Sequence, residues 1–71
     1  MNYTKKILST NVDYDDVDKI LAAHNIKYKA YQSFYNPHDT IYYNDAGWPV
    51  ARYRHTLKTL EIKVYHNDDT M

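Results

Sequence analysis

The side chains in this chain able to do chemistry are four histidines, His24, His38, His55 and His66, nine tyrosines, the single Trp48, and the pair Arg52 and Arg54. The histidines show neither HExxH nor Cys/His ligand spacing. Only a fold that joined His38-Asp39 to His66-Asn67-Asp68 would make a metal site, so none is expected. His24 is expected to edge a helix stripe or cap its last carbonyls, and the other three to lie at the surface. Ser9 and Ser33 lack a nucleophile-elbow context, and Gly47, the only glycine, cannot by itself build a phosphate loop. Paired carboxylates occur only at Asp13–Asp18 and in the tail, where burial that would raise a pKa is not expected. The reading is therefore of a chain with no catalytic residues and no cofactor.

The aromatics point elsewhere. Tyrosine suits strands, and a small β-rich core uses some of the nine. A buried tyrosine needs a partner for its hydroxyl, so a core this small does not readily hold them all. In the alternating segment 26–35, Tyr31 and Tyr35 share parity with Lys27, Lys29 and Ser33, opposite Ile26, Tyr28, Ala30 and Phe34. In segment 48–55, Trp48 and Val50 share parity with Arg52 and Arg54, opposite Ala51 and Tyr53. Two unpaired guanidiniums cannot enter a core cheaply. Either Ala51 and Tyr53 face inward, leaving Trp48 exposed beside the arginines, or a bulge near Pro49 switches the parity. The candidate binding set is Trp48, Arg52, Arg54, Tyr31, Tyr35, Lys27 and Lys29, the residue types of interface hot spots and of base-stacking surfaces.

Seventy-one residues make one domain, taken as 1–66, followed by a short polar tail at 67–71. A core of this size contributes only about 3–5 kcal/mol net, and without cysteine there is no disulfide to add to it. Association as a homodimer is one way to gain stability. No apolar run approaches the length of a membrane span, and no signal-peptide pattern follows Lys5 and Lys6, so no membrane partner and a cytoplasmic location are expected. Net charge is zero, which argues against a strongly basic nucleic-acid binder. Residues 19–63 nevertheless carry Lys19, Lys27, Lys29, Arg52, Arg54, Lys58 and Lys63 against Asp39, Asp45 and Glu61. The chain is rich in Asn, Lys, Tyr and Ile and poor in Gly, Arg and Pro, the bias of AT-rich codons and of phage or low-GC bacterial genomes.

The elements that would position these side chains follow from periodicity. Asp13 is a candidate N-cap for a helix over 13–24, with Val12 and Val17 at the spacing of a hydrophobic staple. Asp15, Asp16 and Asp18 complement the positive end of its dipole. Val17, Ile20, Leu21 and His24 form the buried stripe, and Asn25 suits a left-handed C′ with Ile26 folding back on Leu21. Strands are expected at 3–10, 26–35, 40–44, 48–55 and 57–66, with a loop at 36–39 and a reversal at Asn44–Gly47. In the last strand Leu60, Ile62 and Val64 point inward.

The fold class expected is α+β: a small antiparallel sheet of four to five strands with one helix packed on one face, in the order β-α-β-β-β-β. The expected function is a non-enzymatic protein-binding module, of the kind a phage or mobile element uses to dock on and modulate a host protein. The alternative is a nucleic-acid-binding module using a Tyr/Lys/Arg sheet face. A small toxin-type nuclease is a third reading.

Overall fold

This computed structural model describes residues 2–36 and 38–66. The expected tail at 67–71, and Pro37 of the expected loop, lie outside the described residues. Strands β1 (Asn2–Ser9), β2 (Ala30–Phe34), β3 (Asp39–Tyr43), β4 (Pro49–Arg54) and β5 (Thr59–His66) form one antiparallel sheet in the order β1-β5-β4-β3-β2. A 3-10 turn at Tyr14–Asp16 leads into α1 (Val17–Ala23), which packs on one face. Element order and class are those expected. No helix among the described residues is long and apolar enough to cross a membrane.

The helix ends show which local signals act. Val12 and Val17 are both buried, as a staple requires. Asp13 has the extended backbone of a cap, yet its carboxylate makes no capping hydrogen bond. Its backbone carbonyl accepts from the Asp16 amide, and its carboxylate lies 3.7 Å from Lys58 Nζ. The tight 3-10 start turns the carboxylate away from the first amides, so the element begins one turn later as an α-helix than expected. The C-terminus is a Schellman arrangement: Asn25 takes φ 59°, its amide donates to Ala22, and the Ile26 amide donates to Leu21. His24 Nδ1 sits 3.0 Å from the Ile20 carbonyl, the capping role expected of it.

The core lies between α1 and the sheet. Val17 and Leu21 meet Tyr42, Val50, Ala51, Tyr53, Leu60 and Ile62, with Leu60 and Ile62 fully shielded from solvent. Tyr53 donates its hydroxyl to the Val12 carbonyl at 2.5 Å, so this buried tyrosine is satisfied. The Val12 amide donates to Lys58, tying the connection after β1 to the β4–β5 turn.

The β3–β4 hairpin resolves the parity problem. Asn44 Oδ1 accepts from the amides of Ala46 and Trp48, and Gly47 supplies a φ of +83°. Tyr43 then pairs with Pro49, but Tyr42 pairs with Ala51, so Val50 is an extra residue in β4. This bulge lets Val50, Ala51 and Tyr53 all enter the core and sends Arg52 and Arg54 to the opposite face. Trp48 remains 37% exposed and packs edge-on against Tyr65, with centroids 5.6 Å apart. Tyr65 in turn donates its hydroxyl to the Pro49 carbonyl.

Candidate functional site

The sheet face away from α1 carries no secondary element among the described residues, and its side chains follow the strand register. One row runs Leu8, Glu61, Arg52, Ile41, Gln32; the next runs Thr59, Arg54, Asp39, Phe34; Lys6 stands opposite Lys63. Two shallow depressions, of about 270 and 200 Å³, share Ile41 and Arg52. Cations dominate: Lys6, Arg52, Arg54 and Lys63 against Asp39 and Glu61.

Glu61 serves two of these cations. Arg52 Nη2 donates to its Oε1 at 3.2 Å, and Lys6 Nζ lies 3.8 Å from its Oε2. Arg54 stands across from Asp39 in register, yet among the described residues it forms neither an ion pair nor a side-chain hydrogen bond. The Nε atoms of Arg52 and Arg54 are both buried without an acceptor. A buried N–H left unpaired costs about 1–3 kcal/mol.

The other candidate residues are spread out. Tyr31 and Ser33 lie on the helix side of β2, because Tyr31 pairs with Tyr42 and Ser33 with Thr40, both buried. Phe34 therefore faces the open side, the reverse of the inward position its parity with Ile26 and Tyr28 implied. The parity count failed because residues 26–29 are a connection, not strand. Ile26 and Tyr28 pack on the core from that connection. Lys27 and Lys29 are exposed there, and Tyr35, just past β2, is 96% exposed. The structure brings Arg52 and Arg54 together, sets Trp48 at the hairpin end, and leaves Tyr31, Tyr35, Lys27 and Lys29 around the β2 edge.

Two constellations escaped the sequence. In the first, Ser33 Oγ lies 3.0 Å from Thr40 Oγ1, which lies 2.7 Å from His55 Nε2. His55 stacks flat on His38 at 4.3 Å and meets Tyr14 and Tyr53 at 4.8 Å each. Burial and the neighbouring His38 hold the His55 pKa below its usual value, with Asp39 opposing. Instead of the surface residue expected, His55 is half-buried, because the Val50 bulge shifts the register and brings His38 beside it. Among the described residues no group of three or more His, Asp or Glu side chains is placed to hold a metal.

The second is a tyrosine groove between α1 and β2. Tyr28, Tyr31 and Tyr42 approach one another with centroids 4.8–6.3 Å apart. Tyr28 donates its hydroxyl to Asp18 Oδ1 at 2.7 Å. That bond, then burial, pushes the Tyr28 pKa up to about 12. Burial also raises Tyr42 well above the ordinary phenol value. No spacing rule pointed to this cluster, because its rings come from a connection and two different strands. Comparison with family models, curated proteins and solved structures returns no match, so the reading of function rests on these two faces.

Proposed function

We propose that this chain is a non-enzymatic protein-binding module that docks on a partner protein through its open sheet face, in the manner of a phage or mobile-element accessory protein acting on a host protein. The observation that supports this reading is the Arg52–Arg54 pair: two guanidiniums with buried, acceptor-free Nε atoms beside Phe34 and Ile41. A partner carboxylate or carbonyl reaching that row would pair with the Arg54 Nη groups, which make no side-chain bond among the described residues, and Arg beside apolar side chains is typical of interface hot spots. Trp48, at the hairpin end, would lie at the rim.

The nucleic-acid reading has weaker support. It needs Lys27, Lys29, Arg52, Arg54, Lys58 and Lys63 on one surface. Lys27 and Lys29 precede β2 instead, and Lys58 sits in the β4–β5 turn beside Asp13.

The test is affinity capture from the native host, followed by titration of the recovered protein against the purified chain. The double variant Arg52→Ala/Arg54→Ala is expected to bind about tenfold more weakly or worse, with an unchanged circular dichroism spectrum. Equal binding by the double variant would remove the reading. Oligonucleotide binding that falls steeply with salt would replace it with the nucleic-acid one.

A further inference from the structure

The groove on the helix side has a chemistry opposite to that of the open face. It is a concavity of about 250 Å³ lined by Tyr14, Asp15, Asp18, Tyr28, Tyr31 and Tyr42. The interplanar angles are 77° for Tyr28–Tyr31, 67° for Tyr28–Tyr42 and 43° for Tyr31–Tyr42. The three rings pack edge-on and tilted against one another, and all three line this concavity. Tyr42 is nearly fully buried and forms the floor, while Tyr31, 59% exposed, forms an open wall. The Asp18 bond holds the Tyr28 ring in place.

We propose that this groove is a binding site for an alkylammonium group, carried either by a lysine side chain or by a small quaternary amine. Aromatic faces carry negative potential and attract cations, most strongly where several rings surround one charge. The carboxylates add to that field. Among the described residues neither Asp15 nor Asp18 is in an ion pair, so no Lys or Arg of the chain neutralises the rim. The ring geometry and the uncompensated carboxylates are separate observations that favour the same ligand charge. An anionic ligand would meet both with repulsion, and a neutral apolar one would gain nothing from the carboxylates. The wall and the rim stand open to solvent, so a side chain from another protein can enter as readily as a free amine.

The experiment is a titration of the full chain followed by the NMR signals of the Tyr28 and Tyr31 rings. The probes are choline, its neutral isostere 3,3-dimethyl-1-butanol, and N-acetyl-lysine methylamide. Choline or the lysine amide is expected to shift both rings saturably at roughly millimolar concentration, with the neutral alcohol at least about fivefold weaker. Tighter binding of the lysine amide identifies a protein side chain as the source; tighter binding of choline identifies a small quaternary amine. Tyr31→Ala is expected to weaken cation binding about fivefold or more, and Asp18→Asn to weaken it less. Tyr31 is on an edge strand and largely exposed, so its removal leaves the core in place. Equal binding of choline and the alcohol, full affinity in Tyr31→Ala, or no saturable shift with either cation would each overturn the proposal. Tyr31 lies on the helix side of the sheet and the Arg52–Arg54 row on the open side, so this test and the open-face test fail independently.

Discussion

The two faces of the sheet are built from the same five strands and differ in almost every physical respect. The helix side holds Leu60, Ile62, Ala51, Tyr42 and Tyr53, all shielded, and its buried Tyr53 hydroxyl is satisfied. The open side holds Phe34, Ile41, Lys6, Lys63 and two arginines whose Nε atoms lack acceptors. The first face is what the chain needs in order to fold. The second carries polar costs that folding does not require. A sequence this small, with only a few kcal/mol in hand, has little room for such costs unless the face serves another end.

The sharpest way to break the contrast is to reverse the parity of β4 after Pro49. Deleting Val50 alone would keep Pro49 opposite Tyr43 and Ala51 opposite Tyr42, but deleting Val50 and Ala51 together brings Arg52 opposite Tyr42 and swings Arg52 and Arg54 toward α1. Burying two guanidiniums there exceeds the roughly 3–5 kcal/mol that a core of this size supplies, so the double deletion is expected to leave the chain unfolded by circular dichroism. A folded double-deletion variant would mean that the parity of β4 after Pro49 is not what separates the faces. Next in size is Leu60→Ala, at the fully shielded centre of the helix side. It is expected to cost about 2–5 kcal/mol in urea unfolding, most or all of the chain's stability. Tyr53→Phe follows at about 1–2 kcal/mol, because the Val12 carbonyl loses its buried donor.

These magnitudes also explain what was legible in advance. The helix stripe at Val17, Ile20 and Leu21, the Asn25 stop and the inward Leu60 and Ile62 were readable because local periodicity and core burial agree there, whereas His24, expected in the same stripe, is exposed and turned back to the Ile20 carbonyl. The conflict at residues 48–54 was readable too: Trp48 and Val50 could not enter the core on a regular strand without Arg52 and Arg54. The bulge was one of two answers to that conflict, but its place at Val50 and the one-residue shift it imposes were not visible. That shift decides which residues of β4 meet β3, and so it hid the Ser33–Thr40–His55 chain and the His38–His55 stack. The tyrosine groove was hidden for a different reason. Residues 26–29 alternate like a strand, yet they form a connection that turns Tyr28 toward Tyr42.

His55 offers a smaller effect, seen as a slope with pH. Its pKa is lowered in the folded state, so the folded chain binds fewer protons than the unfolded chain at acidic pH. The stability linked to this group is fully present above the unfolded value of about 6.5 and is lost as pH falls from there through the lower folded value. Unfolding midpoints taken from pH 7.5 down to 5 are expected to fall, and to fall less in His55→Gln. Parallel slopes in the two proteins would show that His55 does not titrate between the folded and unfolded states.

The smallest expected change carries the most weight for function. Arg54→Met keeps the aliphatic stem and removes a guanidinium with no acceptor among the described residues. Replacing an unpaired buried polar group with an apolar one of similar shape is neutral or stabilising. The midpoint in urea is therefore expected to stay within about 0.5 kcal/mol of the parent or to rise. A loss of 1 kcal/mol or more would make Arg54 a structural residue, paired with Asp39 in solution, and the open face would lose its main claim to be a docking surface. An unchanged or raised stability, together with weakened capture of the partner, is what a residue retained for binding at the expense of folding should show.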